Sequence, residues 1–203
     1  DKIDSLYGKK EAITGTPTGF PDLDQLTAGF QTSDLIIIAA RPAVGKTAFA
    51  LNIAQNVAIK YKIPVAIFSL EMSKDQLAQR MLCSEGEVDA QKLKTASLSD
   101  TGWKKLTRAL GRLSEAPIFI DDSATLTATE IRAKARRLKI EKGLGMVIVD
   151  YLQLLRGKAR AENRVQEISD IARSLKTLAR ELEVPVVALS QLSRAVEQRT
   201  DRI

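Results

Sequence analysis

Short runs of consecutive apolar residues recur along the chain, separated by longer stretches of mixed character. Apolar residues that do not alternate with polar ones are typical of strands buried on both faces, as in a parallel sheet. The runs therefore predict five buried strands. They cover residues 35–40, 65–70, 118–120, 146–149 and 184–189.

The stretches between the runs carry helical periodicity. Apolar residues recur four apart over 47–59 and at alternating spacings of three and four over 165–182. Residues 73–76 and 127–130 have the spacing of capping boxes, which begin helices. Strands that alternate with helices predict an α/β fold, with a doubly wound, mostly parallel sheet and helices on both of its faces.

Two segments lack this regular pattern. Thr, Gly and Pro punctuate the first of them, so we expect a linker and a short lead-in helix over 1–33, ahead of a core over 34–203. We place that helix around 23–26. Residues 152–164 are polar and basic without periodicity, which predicts a surface loop.

Composition then limits the kinds of site that the chain can build. The chain has 203 residues, of which 44% are hydrophobic and 28% are charged, so it can bury a full core. No apolar run approaches the roughly 20 residues of a membrane-spanning helix, and we expect no membrane partner. One cysteine, Cys83, and the lack of histidine exclude an intrachain disulfide, ordinary zinc sites and His-based catalytic triads. Any chemistry must use carboxylates, Lys, Arg, hydroxyls and backbone amides.

A segment suited to phosphate follows the first predicted strand. Residues 40–47, Ala-Arg-Pro-Ala-Val-Gly-Lys-Thr, match the spacing G-x-x-x-x-G-K-[ST] except that Ala40 replaces the first glycine. Gly45 permits the tight turn that aims backbone amides at phosphate oxygens. Lys46 adds a charge for the β- and γ-phosphates, and the Thr47 hydroxyl can bind Mg²⁺. We therefore expect a nucleotide site built by Arg41, Pro42, Ala43, Val44, Gly45, Lys46, Thr47 and Ala48.

Hydrolysis of a nucleotide needs a second carboxylate beside the metal and a group that orients water. Asp150 and the pair Asp121-Asp122 each follow a predicted strand, and we favour Asp150 because the run before it is longer. Many such enzymes have a glutamate next to that aspartate, but here the neighbour is Tyr151. Glu71 ends the second run and would reach the nucleotide from a strand lying beside the first one, although a solvated strand-end glutamate fits the same pattern.

These motifs together resemble the RecA-like motor domain of bacterial replicative DNA helicases of the DnaB type. The resemblance implies a P-loop NTPase fold and a homo-hexameric ring that uses ATP and Mg²⁺ to move along single-stranded DNA and unwind the duplex. It also implies a bacterial, cytoplasmic protein with a primase and a helicase loader as partners. It extends over essentially the whole chain, through residues 17–24, 40–47, 69–73, 147–153 and 188–194.

The resemblance also assigns roles to single residues. It gives Glu71 the activation of water and Asp150 the completion of the metal site. Gln191 resembles the family's γ-phosphate sensor, and Arg80 resembles an arginine near the nucleotide. The family's scaffold domain precedes this region, and its arginine finger and principal DNA-binding loop lie downstream of Gln191. We therefore expect the chain alone to be a fragment that binds nucleotide but hydrolyses it poorly.

The net charge of +6 points to nucleic acid only in part. Residues 132–160 hold nine of the 31 basic residues and two of the 25 acidic ones, so this segment accounts for the whole positive excess. Its first part, 132–142, lies on a predicted helix and suits a solvated or subunit-contact face. Its second part follows Asp150, where positive charge could bind DNA phosphates without reading sequence. The DNA candidates are Arg156, Lys158, Arg160 and Arg164.

Three other functions stay open at this point: a recombinase or clock-type ATPase with the same core, a nucleotide-gated scaffold or loader, and a small-molecule kinase. The string Ser-Leu-Glu-Met-Ser at 69–73 favours the helicase over the first of these. Strand separation by the parent protein would argue against the second. A kinase would need an Arg-rich lid, which the sequence does not make evident.

Overall fold

The fold is that of a computed structural model, which describes residues 13–155 and 164–192. A five-stranded sheet contains β1 (Leu35–Ala40), β2 (Val65–Ser69), β3 (Ile118–Asp121), β4 (Met146–Asp150) and β5 (Val186–Gln191). The helices are α1 (Pro21–Thr27), α2 (Lys46–Gln55), α3 (Lys74–Glu85), α4 (Ala90–Lys94), α5 (Asp100–Ser114), α6 (Ala128–Lys142) and α7 (Arg164–Leu182). A π-helical turn, Asn56–Lys60, extends α2, and a 3₁₀ helix, Leu152–Leu154, follows β4.

The strands lie in the order β1-β5-β4-β2-β3, and every neighbouring pair is parallel. The α/β fold with a parallel sheet is thus confirmed. One expectation was wrong: β2 does not lie beside β1, because β5 and β4 separate them. Parallel strands are joined by helical crossovers, and such connections allow strands that are adjacent in sequence to be apart in the sheet. All carboxyl ends nevertheless meet at one edge.

Both faces of the sheet are covered by helices. On one face, Ile131 of α6 and Leu175 of α7 belong to a buried cluster with Val147 of β4. On the other face, Ile53 of α2 clusters with Ile148, the next residue of the same strand. Because successive side chains of a strand point to opposite faces, this pair shows β4 to be buried on both sides.

The prediction of full burial holds for the inner strands and fails at the edges. Every residue of β2 and β4 is buried, as are the first four of β5. Both β1 and β3 are only partly buried, because each has a strand neighbour on one side only within the described residues. Ile37 of β1, for example, is 46% exposed.

Two boundaries also differ from those that the pattern predicts. The last strand begins at Val186 rather than at residue 184, since Pro185 has no N–H to offer a neighbouring strand and the Val184 amide donates to Ala179 at the end of α7. The loop predicted over 152–164 is wrong in its first residues, where Leu152 and Leu155 are buried around the 3₁₀ helix. Their burial anchors the chain directly after β4, and residues 156–163 lie outside the described part.

The capping boxes are present, as the spacing predicts. The Ser73 hydroxyl accepts from the Gln76 amide at the start of α3, and the Thr127 hydroxyl accepts from the Glu130 amide at the start of α6. In both boxes the side chain of the later residue bonds back to the amide of the first. These contacts fix where each helix begins.

The lead-in segment is tied to the core. The predicted short helix is present as α1, and its buried Asp24 accepts hydrogen bonds from the amides of Thr18 and Gly19 and from the Thr18 hydroxyl. The Asn56 side chain in turn donates to the Thr18 carbonyl at 3.1 Å. The boundary that we place at residue 34 stays a prediction. Among the described residues, no helix combines the length and apolarity needed to cross a membrane.

Candidate nucleotide site

The loop between β1 and α2 has an unusual backbone. Gly45 has φ 102° and Ala43 has φ 62°, both in the left-handed region. A side chain at Gly45 would meet no atom within 4 Å, so conformation and not space favours glycine there. Gly45 precedes the first residue of α2 and can offer no side-chain cap, which leaves the helix's first amides free to face an anion.

Lys46 and Thr47, the first residues of α2, both point toward the end of β4. The Thr47 hydroxyl donates to Asp150 Oδ2 at 2.7 Å, and Lys46 Nζ lies 3.7 Å from Asp150 Oδ1. Asp150 is only 2% exposed, and its Oδ1 has no hydrogen-bond partner among the described residues. Lys46 Nζ also lies 4.4 Å from the centre of the Tyr151 ring, in a cation–π contact. A hydroxyl, a carboxylate and an ammonium group thus converge at one point.

The competing aspartates lie elsewhere. Asp121 ends β3 at the far edge of the sheet, where it pairs with Lys134 and accepts from the amide and hydroxyl of Ser123. Burial raises the pKa of Asp121, but the hydrogen bonds from Lys134 and Ser123 outweigh it and hold the pKa below its ordinary value. Asp122 accepts from the Lys74 amide at the start of α3. The contacts of Asp121 and Asp122 are thus with Ser123, with α6 and with the start of α3.

Glu71 follows β2 in a turn that its neighbours define. The buried Ser69 hydroxyl donates to the Met72 carbonyl at 2.7 Å and accepts from the Met72 amide at 3.2 Å. The Leu70 amide donates to the Asp150 carbonyl at 2.8 Å, which ties this turn to the end of β4. Although its strand is not adjacent to β1, Glu71 still faces the same pocket as the loop.

One pocket collects most of the residues that the sequence singles out. Val44, which is 69% exposed, does not line it, and neither does the buried Asp150, which accepts from the lining residue Thr47. Met72 lines it without having been predicted. The lining consists of Arg41, Pro42, Ala43, Gly45, Lys46, Thr47, Ala48, Glu71, Met72, Arg80 and Gln191.

Gln153 is a further residue that the sequence analysis did not single out. It lies on the 3₁₀ helix after β4, and its amide reaches the end of β5. Its Nε2 donates to Ser190 Oγ at 2.9 Å and to the Gln191 carbonyl at 3.0 Å, while its Oε1 accepts from the Gln191 amide at 3.3 Å. The signal available in the sequence was its position three residues after Asp150.

Four of the six basic residues of helix α6 pair with carboxylates of the protein. Arg132 and Arg136 both pair with Glu181 of α7, and the hydrogen bond from Arg136 is the main cause that holds the pKa of Glu181 below its ordinary value. Arg137 pairs with Glu141 one turn along. Of the DNA candidates, Arg164 is the first residue of α7, and its side chain is outside the described part. Arg156, Lys158 and Arg160 lie wholly outside the described residues.

Comparison with known proteins supplies a family. The family model described as DnaB-like helicase C terminal domain matches residues 15–203. The chain is 63% identical to the replicative DNA helicase DnaB of Geobacillus stearothermophilus over 203 residues, which cover all of this chain and 45% of that relative. The chain thus spans about half the length of such relatives.

Solved structures agree with this match. One that is described as an ATPase domain superposes with a TM-score of 0.92 at 41% identity, over 98% of this chain and 72% of that one. A structure described as a DnaB-like replicative helicase and its interactions with primase superposes with a TM-score of 0.89 at 42% identity, over 98% of this chain and 49% of that one.

Proposed function

Because the chain belongs to the DnaB-like helicase C-terminal domain family, we propose that it is the ATP-hydrolysing motor of a replicative DNA helicase. Its RecA-like fold brings strand ends that are distant in sequence to one edge. The observation that carries the proposal is that the phosphate loop, Glu71 and Gln191 line one pocket, while the buried Asp150 accepts a hydrogen bond from Thr47 of that lining. The identity to a replicative helicase over the full chain favours this function over a recombinase or clock-type ATPase.

We propose that the nucleotide is ATP and that Mg²⁺ accompanies it. The donor set fits this ion, since Mg²⁺ prefers oxygen ligands and binds through few protein groups beside the phosphates. The Thr47 hydroxyl and the buried Asp150 carboxylate offer such oxygens, and Asp150 Oδ1 has no hydrogen-bond partner within the described part. Lys46 and the first amides of α2 would hold the β- and γ-phosphates.

Glu71 and Gln191 complete the proposed chemistry. Glu71 lines the pocket on an exposed turn, where its carboxylate can accept a proton from the attacking water. Gln191 ends β5 and lines the pocket beside the loop, so its amide can contact the γ-phosphate and respond to its loss. Arg80, on α3, adds a positive charge to the same lining.

The rate of ATP hydrolysis by the Lys46→Ala variant tests this proposal. Measured in the full-length gene product with Mg²⁺ and single-stranded DNA, ATP turnover should fall on the order of 1000-fold, as expected when a phosphate clamp is removed. Lys104→Ala, an exposed lysine on α5, is the matched control and should keep turnover. Glu71→Gln should lower turnover by about 100-fold or more and leave nucleotide binding intact. Turnover that survives Lys46→Ala would refute the proposed site.

We propose further that the protein forms a homo-hexamer, binds single-stranded DNA, works with a primase and a helicase loader, and acts in the bacterial cytoplasm. The relative from Geobacillus stearothermophilus and the structure described with primase support this setting. For DNA contact we retain Arg156, Lys158, Arg160 and Arg164, since four of the six basic residues of α6 pair with carboxylates of the protein.

Salt dependence of DNA binding tests the contact. Reversing the charges of Arg156 and Lys158 should weaken binding and lower the slope of log affinity against log salt by about 1 for each phosphate that is no longer neutralised. Arg137→Glu is the matched control, because this exposed α6 residue pairs with Glu141 of the same helix. Equal slopes for the double variant and the unaltered protein would exclude this segment from the DNA path.

A further inference from the structure

The side chain of Gln153 engages the backbone of Gln191 with both ends of its amide. Nε2 donates to the backbone carbonyl of Gln191 at 3.0 Å, and Oε1 accepts from the backbone N–H of Gln191 at 3.3 Å. Nε2 also donates to Ser190 Oγ at 2.9 Å. A primary amide that meets an N–H and a C=O of one residue reproduces the pairing of a neighbouring strand.

The hydrogen bonds between Gln153 and Gln191 lie beyond the last residues that β4 and β5 pair. The register between β4 and β5 ends at Val149 and Ala188, since the chain turns after Asp150 into the 3₁₀ helix. The last residues of β5 therefore have no β4 backbone to pair with on that side. Gln153 fills this place from the 3₁₀ helix, so Gln191 has a partner on both sides.

The other side of Gln191 is bound to the strand that leads into the phosphate loop. Gln191 pairs in register with Ala40, the last residue of β1, and the Leu192 amide donates to the Ala40 carbonyl at 3.0 Å. Gln191 therefore lies between the residue that begins the phosphate loop and a side chain three residues beyond Asp150. Buried Leu152 and Leu155 fix the 3₁₀ helix that carries Gln153.

We propose that Gln153 is a positioning residue, which holds Gln191 at the nucleotide pocket and makes its placement depend on the turn after Asp150. The inference rests on the nucleotide role proposed above for Gln191. Gln153 is not among the residues that line the pocket, so it acts through Gln191. Its loss should impair the reaction step more than nucleotide binding, because the phosphate loop that binds the nucleotide is untouched.

Kinetics of Gln153→Met and Gln153→Glu test the inference in the full-length gene product. Methionine keeps the length of the side chain without its hydrogen bonds, and we expect kcat for ATP to fall about 10-fold with KM within about 2-fold. Glutamate should lower kcat further, because its second carboxylate oxygen would face the Gln191 carbonyl. Leu154→Ala is the matched control, since this residue is 39% exposed on the same 3₁₀ helix.

A double-mutant cycle separates positioning from a general loss of structure. If Gln153 acts through Gln191, Gln153→Met combined with Gln191→Ala should be no slower than Gln191→Ala alone. Multiplying losses, an unchanged kcat, or a rise in KM equal to the fall in kcat would overturn the inference. Failure of the proposed function can be told apart from failure of this inference, because the Lys46→Ala variant would then keep its ATP turnover. If Lys46→Ala is inactive and Gln153→Met is normal, this inference alone fails.

Discussion

Asp121 and Asp150 each end a strand of the same parallel sheet, and an apolar run with β-branched residues precedes each of them. Each has a lysine and a hydroxyl beside it, but the two differ in burial and in the elements that supply these partners. Asp150 is 2% exposed, accepts from the Thr47 hydroxyl and lies near Lys46 of the phosphate loop. Asp121 is partly exposed and pairs with Lys134 of α6.

The difference arises from the order of the strands. In the described sheet, β5 alone separates β4 from β1, so the end of β4 lies within reach of the first turn of α2. Three strands separate β3 from β1, and the end of β3 meets helix α6 instead. The place of its strand in the sheet thus decides whether a strand-end aspartate reaches the loop before α2, and the residues around it in sequence do not specify that place.

The largest expected effect is the difference in ATP turnover between the variants Asp150→Asn and Asp121→Asn. Asp150→Asn should lower turnover by on the order of 100-fold to 1000-fold, because a neutral amide offers Mg²⁺ much weaker binding than a carboxylate. Asp121→Asn should keep turnover within about 2-fold, since that side chain ends β3, which three strands separate from β1. Steady-state assays over a range of Mg²⁺ concentrations measure both effects. Equal losses in the two variants would contradict the assignment of the metal site to Asp150.

A smaller effect on ATP hydrolysis is expected from a substitution in β2, the strand that lies between β4 and β3. Ser69 pairs in register with Asp150, and its buried hydroxyl makes both hydrogen bonds to Met72 that shape the Glu71 turn. Ser69→Ala should lower kcat about 10-fold through misplacement of Glu71 and cost about 1 kcal/mol of stability. Single-turnover hydrolysis and urea unfolding give the two quantities.

The control for Ser69 is another serine with a single side-chain partner. The Ser84 hydroxyl donates to Asn52 between α3 and α2, at an exposed position outside the nucleotide pocket. Ser84→Ala should therefore leave kcat unchanged. If the Ser69 variant hydrolyses ATP as fast as the Ser84 variant, the hydroxyl of Ser69 does not hold the catalytic turn.

Sequence patterns were sufficient for what depends on near neighbours. The capping boxes at Ser73 and Thr127 and the turn at Gly45 before α2 follow from spacing alone. The order of the strands did not follow, because it is set by how the helical crossovers pack. The contact of Gln153 with Gln191 was equally hidden, since 38 residues separate the partners and a polar residue after a strand has many other uses.

The smallest effect concerns the stability that Asp121 provides. Its folded-state pKa lies below the ordinary value of 3.8, so its contribution is fully present above that pH and is lost as the pH falls through the lower folded value. Because the pair with Lys134 is partly exposed, Asp121→Asn should cost only about 0.5 kcal/mol at pH 7. The cost should shrink toward zero in acid, where the unaltered protein also loses the charge. Urea unfolding of the full-length gene product, followed by circular dichroism, measures this at several pH values. A cost that persists at low pH would assign the effect to the Ser123 hydrogen bonds and not to the charge of Asp121. The double variant Lys134→Met with Asp121→Asn separates the ion pair from these hydrogen bonds.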